Sequence, residues 1–238
     1  MCYYRRSNVS MQGVILAGGF GTRLQSIVND VPKPMAQVNG IPFLEILLNK
    51  LNSQKFNKIV LAVGYKSEVI VAYFGNKYKN IELIYSYEVE PLGTGGAVRK
   101  AVESLTDDYV YIFNGDTYFD FKYSLMKTSK DGIIACKYLD DNSRYGSVVI
   151  EDNRIVEFKE KEDSSCGYIN GGVYLLNKKT LMSKKNIEKF SLENDYFKEM
   201  IDDIWLEAIT FDSYFIDIGI PSDYAKIQED LKWKKLFF

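Results

Sequence analysis

The chain contains no histidine. That absence removes Ser-His-Asp and Cys-His nucleophilic machinery, imidazole general bases and histidine-rich zinc sites together. Chemistry carried out here needs no imidazole, a condition met by a reaction whose nucleophile is already anionic at neutral pH, as a phosphate oxygen is. Cysteine is scarce: Cys2, Cys136 and Cys166 are odd in number and widely spaced, which suits neither a disulfide framework nor a metal-ligand pattern. A reducing, cytoplasmic setting is the natural expectation. No apolar run is long enough to span a bilayer, and Met1 to Ser10 carry Arg5 and Arg6 with no apolar segment behind them, so neither a membrane span nor a signal peptide is expected. Because Met11 stands directly before the first strand, residues 1–10 read as a flexible leader or an upstream start. There is also no excess of one charge: 30 basic and 32 acidic residues leave a net charge of −2, which provides no footprint for nucleic acid or an anionic membrane. Any phosphate binding must be local. Internal repeats, low-complexity tracts and hexapeptide arrays are missing too.

What is present suits one α/β domain: 238 residues with 46% hydrophobic content. Val14 to Leu16 reads as a first strand, Phe43 to Leu51 as a helix, and Lys58 to Val63 as a buried strand. A helix follows over Ser67 to Phe74, closed by Gly75, then a strand over Ile81 to Tyr85, a helix over Gly95 to Leu105 and a strand over Tyr109 to Phe113. This alternation predicts a Rossmann-like, mostly parallel mixed sheet flanked by helices, with ligands gathered at the carboxyl ends of the strands. After Ile133 to Cys136 the pattern becomes β-rich. Tyr145 to Ile150 and Arg154 to Phe158 read as a hairpin, and Gly167 to Leu176 as a long strand. Asn186 to Trp205 reads as mostly helical, Ile209 to Ile218 as two short strands or one bent one, and Ser222 to Lys235 as a closing helix with Pro221 in its first turn, turning Tyr224, Ile227 and Leu231 to the core.

Two glycine clusters stand out. Leu16-Ala17-Gly18-Gly19-Phe20-Gly21-Thr22-Arg23-Leu24 follows the first strand, and its glycines are expected to bend with positive φ and turn bare N–H groups toward an anion. Arg23 and Lys33, the latter inside Pro32-Lys33-Pro34, would converge on that anion as a forked donor and a second cation. The other cluster is Glu88-Val89-Glu90-Pro91-Leu92-Gly93-Thr94-Gly95-Gly96-Ala97. Neither is a dinucleotide fingerprint, because Leu24 and Val98 occupy the positions of the last glycine, and no Gly-Lys-Ser/Thr phosphate loop occurs. No two aspartates lie two apart, so the Asp-x-Asp of a metal-dependent glycosyltransferase is absent as well.

The first cluster together with Pro32-Lys33-Pro34 resembles the signature of the sugar-1-phosphate nucleotidylyltransferases. The resemblance extends from Gln12 to about Tyr224 through Glu90 to Ala97, Asn114-Gly115-Asp116-Thr117, Asn170-Gly171-Gly172 and Tyr214 to Tyr224, and is closest to bacterial D-glycero-D-manno-heptose 1-phosphate guanylyltransferases. It implies a nucleotidyltransferase domain over 11–238, with a nucleotide half to about 130 and a sugar-phosphate half beyond. It implies a nucleoside triphosphate, GTP before UTP or CTP, and a sugar 1-phosphate, heptose before mannose, as partners, giving a GDP-sugar for surface polysaccharide. Most of the motifs are shared with mannose-1-phosphate guanylyltransferases and with uridylyltransferases, so the substrate pair stays open, as does a homo-oligomer, and a catalytically silent nucleotide-binding regulator is the non-enzyme alternative. Leu16, Ala17, Gly18, Gly19, Gly21 and Thr22 would cradle the phosphates, and Arg23, Lys33 and Lys161 would be the catalytic cations. Gly93 and Thr94 would hold the nucleobase, with Glu88 either accepting from the two adjacent donors of guanine or standing as a solvated strand end. Gly146, Glu160, Lys161, Asn170 and Gly171 would hold the sugar phosphate. Asp116 and Asp217, each of which alone reads as a turn residue, match as a pair the family's ligands for magnesium.

Overall fold

The computed structural model describes residues 11–19, 24, 31–159, 166–183 and 188–233. The expected leader 1–10 and the site candidates Gly21, Thr22, Arg23, Glu160 and Lys161 lie outside them.

The chain opens with β1 (Met11–Leu16), followed by a small hairpin of β2 (Gln37–Val38) and β3 (Ile41–Pro42). Then come α1 (Phe43–Ser53), β4 (Phe56–Val63), α2 (Ser67–Phe74), β5 (Lys77–Tyr78), β6 (Ile81–Tyr87), α3 (Gly93–Val102) and β7 (Tyr109–Asn114). The α2 helix ends where Gly75 takes φ +61, a left-handed backbone that glycine adopts without a Cβ penalty. The β-rich remainder comprises β8 (Thr117–Phe119), β9 (Gly132–Leu139), β10 (Ser147–Glu151), β11 (Arg154–Lys159) and β12 (Gly167–Asn177). After α4 (Lys178–Ser183) and a wide-turned helix over Leu192–Phe197 running into α5 (Lys198–Met200), it closes with β13 (Leu206–Thr210), β14 (Phe215–Asp217) and α6 (Pro221–Trp233).

Among the described residues ten strands form one sheet in the order β10-β11-β13-β9-β12-β7-β1-β4-β6-β5. The expected parallel core is there, with β7, β1, β4 and β6 side by side and parallel. Beyond it β12 runs antiparallel to both β7 and β9, so one continuous sheet carries both halves of the chain. Alternate residues of each central strand feed opposite cores, as a strand buried on both faces must. Val14, Val60 and Ala62 pack with α3 and the Leu192–Phe197 helix on one face, while Ile15, Leu61 and Val63 pack with α1 and α2 on the other. A third cluster joins Ile46 and Leu47 of α1 to Tyr118, Ile216, Ile218 and Ile227. It braces the β8–β14 pair, and it bears out the inward face expected for Ile227.

One element differs from the reading of the sequence. Of the expected helical stretch Asn186 to Trp205, residues 188–205 are described, and among these only Leu192–Met200 is helical, its first six residues forming a π-helix rather than an α-helix. Tyr196 N–H reaches the Ser191 carbonyl at 3.1 Å, and Ser191 Oγ accepts from Asn194 N–H. The wide turn lets Leu192, Tyr196 and Phe197 all bury, which leaves Phe190 outside the helix and free to pack on the second glycine cluster.

Candidate active site

Four parallel strands end together: β1 at Leu16, β4 at Val63, β6 at Tyr87 and β7 at Asn114. The loops leaving them enclose a cavity of about 600 Å³, lined by Leu16 to Gly19, Gly64 and Tyr65, Glu88, Val89 and Pro91, and Asn114 to Asp116. Gly93, Thr94 and Ala97 at the start of α3, Lys33 and Pro34, Glu193 and Gly219 complete the wall. The carboxyl edge of a parallel sheet is where such a cavity belongs.

Positive φ is not what the first cluster's described glycines provide: neither Gly18 nor Gly19 adopts it. Gly18 is needed for close approach, since a Cβ there would lie 2.6 Å from Glu88 Oε1 and 3.2 Å from Gly64 N. A Cβ on Gly19 would meet only open space, so the backbone at this point is bare toward the cavity. At Gly115 a Cβ would stand 2.2 Å from the Leu16 carbonyl oxygen, which Gly115 N–H already holds at 3.0 Å. Gly115→Ala must therefore pry the ends of β1 and β7 apart. We expect it to cost about 2–3 kcal/mol of stability, and a thermal melt with an unchanged midpoint would refute that role.

Lys33 starts a short 3₁₀ turn, Lys33–Met35, between its two prolines, and its ammonium forms an ion pair with Asp116 Oδ2. Asp217 joins them through strand pairing: it faces Thr117 across β14 and β8, and Ile218 N–H donates to the Asp116 carbonyl at 2.9 Å. Gly219 N–H donates to Asp217 Oδ1. Burial, and next the charge of Asp116, push the Asp217 carboxyl up to about 6, against the opposing pull of Lys33. Burial also raises Tyr145, to about 12, with Asp217 contributing, so the residue before Gly146 stands within reach of the same charge.

The second cluster works differently from a simple base platform. A Cβ on Gly93 would lie 2.5 Å from the Phe190 carbonyl oxygen, one on Gly95 2.2 Å from the Phe190 ring, and one on Gly96 2.3 Å from the Glu188 carbonyl oxygen. The three glycines are a seat for a segment from the other half of the chain. Glu88 closes the loop in front of them by accepting from Leu92 N–H at 3.0 Å.

Of the expected residues, the structure gathers Leu16, Ala17, Gly18, Gly19, Lys33, Glu88, Gly93, Thr94 and Asp116 around the cavity, with Asp217 adjoining through Gly219. Gly146, Asn170 and Gly171 do not line it. Gly146 precedes β10, with the Lys159 carbonyl 3.0 Å from where its Cβ would be. Asn170 is turned to internal bonds with Tyr174 Oη and Gly172 N–H, both 2.9 Å, and a Cβ on Gly171 would lie 2.7 Å from the Phe119 ring and from the Ala135 carbonyl oxygen. Reading by motif overlooked Gly64, Tyr65 and Glu193 in the wall. Tyr65 follows the end of a parallel strand, a position that could have been singled out. Glu193 has no comparable local signal.

Among the described residues no group of three or more His, Cys, Asp and Glu side chains forms a metal cluster, and no helix is long and apolar enough to cross a membrane. The Asp116–Asp217 pair, short of positive charge, fits a hard divalent cation that completes its shell with phosphate and water oxygens.

Comparison with known proteins identifies the family. A D-glycero-α-D-manno-heptose 1-phosphate guanylyltransferase of Aneurinibacillus thermoaerophilus is 44% identical over 228 residues, covering 93% of this chain and 99% of that one. One of Campylobacter jejuni is 44% identical over 216 residues, covering 90% and 97%. The crystal structure of HddC from Yersinia pseudotuberculosis complexed with GMP-PN superposes with a TM-score of 0.83 at 36% identity, over 93% of this chain and 99% of that one. The sequence model described as nucleotidyl transferase matches residues 12–234. With that match spanning nearly the whole chain, and with its cavity at the carboxyl edge of the parallel strands, the chain belongs to the nucleotidyl transferase family.

Proposed function

We propose that this protein transfers GMP from GTP to D-glycero-α-D-manno-heptose 1-phosphate, releasing pyrophosphate and forming a GDP-heptose. The observation that carries the reading is the Lys33–Asp116–Asp217 group held at the end of the parallel strands, in a chain 44% identical to heptose 1-phosphate guanylyltransferases. An oxygen of the sugar phosphate attacks the α-phosphorus of the nucleotide as the bond to the β-phosphate oxygen breaks in line. The nucleophile is already an anion, so no imidazole and no covalent enzyme intermediate is needed. The protein supplies position and charge.

Lys33 and Arg23 neutralise the departing pyrophosphate, and Gly18, Gly19, Gly21 and Thr22 present backbone groups to the phosphates. Lys161 receives the acceptor phosphate, with Glu160 beside the sugar, whereas Asn170 is already committed to Tyr174 and Gly172 and, like Gly146 and Gly171, stands outside the cavity wall. Glu88 reads the base: with Oε2 occupied by Leu92 N–H, its remaining lone pairs accept from the ring N1–H and amino group of guanine. Asp116 and Asp217 hold Mg²⁺, which when bound polarises the phosphoryl oxygens and offsets their charge. The free thiols of Cys136 and Cys166 suit a reducing cytoplasm.

Pyrophosphate release decides the matter: each nucleoside triphosphate is paired with heptose, mannose and glucose 1-phosphates. Release is expected with GTP and the heptose phosphate above all other pairs. Release with UTP alone would overturn the guanine reading, and release with no pair would leave only a nucleotide-binding protein.

A further inference from the structure

The segment Glu188 to Glu193 crosses from the second half of the chain to the nucleotide half and is tied down along its length. Phe190 N–H donates to the Leu92 carbonyl at 3.0 Å, and Gly95 N–H to the Phe190 carbonyl at 2.9 Å. Leu192 N–H donates to Thr94 Oγ1 at 2.8 Å. Arg99 stacks on the Phe190 ring, its guanidinium carbon 5.2 Å from the centroid. The π-helix that begins at Leu192 then turns Glu193 into the cavity wall. Its carboxylate is held from two sides: Tyr174 Oη donates to Oε1 at 2.8 Å, and Thr94 Oγ1 to Oε2 at 3.3 Å.

Tyr174 is fully buried on β12, and Asn170 Nδ2 donates to its hydroxyl oxygen, so its one proton is directed to Glu193. A carboxylate fixed this firmly is usually matched by a cation. Among the described residues none of the ion pairs involves Glu193. The charge therefore faces a cavity that must also admit phosphates, which it repels. Of the uncharged parts of these substrates, those that carry hydrogen-bond donors are the ones that can settle against it. Each oxygen has accepted one hydroxyl proton from the protein and keeps a further lone pair, and the two oxygens of one carboxylate match the two O–H groups of a vicinal diol.

We infer that Glu193 is a specificity-determining residue that binds a vicinal hydroxyl pair of a substrate sugar, the ribose of the nucleotide or the acceptor, with Tyr174 and Thr94 as positioning residues. The inference rests on the nucleotidyl-transfer reading for its ligands. It is tested by binding, separately from turnover. Isothermal titration compares GTP with its 2′-deoxy and 3′-deoxy forms, and heptose 1-phosphate with its 2-deoxy and 3-deoxy forms, on the native protein, on Glu193→Gln and on Tyr174→Phe. Removing one hydroxyl in one of the two arms is expected to weaken binding to the native protein by about tenfold or more, as loss of a hydrogen bond to a charged group does. The same removal should cost Glu193→Gln much less, because the near-isosteric amide has already lost the charge. Tyr174→Phe keeps the ring in the core and the carboxylate in the wall, and should fall between. The arm that responds identifies the sugar. Equal losses in native protein and Glu193→Gln for every deoxy ligand, or no loss in either arm, would overturn the role of Glu193 while leaving nucleotidyl transfer intact. No binding of either intact ligand would overturn both.

Discussion

Lys33→Ala is expected to slow turnover by about 10²–10³-fold, the cost of removing one fixed electrostatic donor from a charged transition state. Lys33 lines the cavity and is held between two prolines, which limit the backbone freedom that would otherwise let the ammonium wander. Its partner, Asp116, is the residue through which β7 passes to β8. Taking away the lysine also leaves Asp116 and Asp217 facing each other without the cation that offsets them, so the effect should fall on kcat more than on the nucleotide KM. Lys33→Arg should recover only part of the rate, because a planar fork cannot sit where a compact ammonium sits. Steady-state pyrophosphate release checks both variants, and a near-normal rate for purified Lys33→Ala would remove this residue from the mechanism.

Asp217→Asn should lose activity on a similar scale, about a hundredfold, and yet make the metal-free protein more stable. The sign follows from the raised carboxyl. An ordinary aspartate titrates near 3.8, whereas Asp217 is pushed up to about 6 by burial and by Asp116. The folded state therefore holds this proton more tightly than the unfolded chain does, so the group favours folding at low pH, and that contribution is lost as pH rises through about 6. Above that pH the charged carboxylate costs the metal-free fold up to about 3 kcal/mol, which the neutral amide avoids while still accepting from Gly219 N–H. The melting point of Asp217→Asn should exceed that of the native protein by several degrees near pH 8, and the gap should close near pH 4. A variant less stable at both would make Asp217 a structural acceptor instead of a site kept under strain for a cation. Trading stability for a charged site is common where function requires it.

Why some features could be read from the chain and others not has a physical basis. β1, β4 and the α2 helix with Gly75 behind it depend on interactions within a few residues: side-chain alternation, helical spacing, a glycine free to take φ +61. The hairpin of β10 and β11 is equally local. The stretch Asn186 to Trp205 was misleading because its helical spacing is real over Leu192–Met200, but Phe190 gains more from the glycine seat than from another turn of helix. The glycines show the same limit. Gly18, Gly93, Gly95 and Gly96 are visible as glycines in the chain, yet they are required by atoms of Glu88, Gly64, Glu188 and Phe190, distant in sequence.

The order of residues alone determined the strand–helix alternation, the absence of imidazole chemistry and the family to which the motifs belong, because each depends on composition or on short-range spacing. Only the tertiary structure decided that Asp116 and Asp217 meet across β8 and β14, and that Glu193 comes to share the cavity with Thr94. The physical reason is range: a hydrogen bond between residues 94 and 193 leaves no trace in the residues around either one, and it exists because ten strands close into one sheet and bring their loops to a common edge.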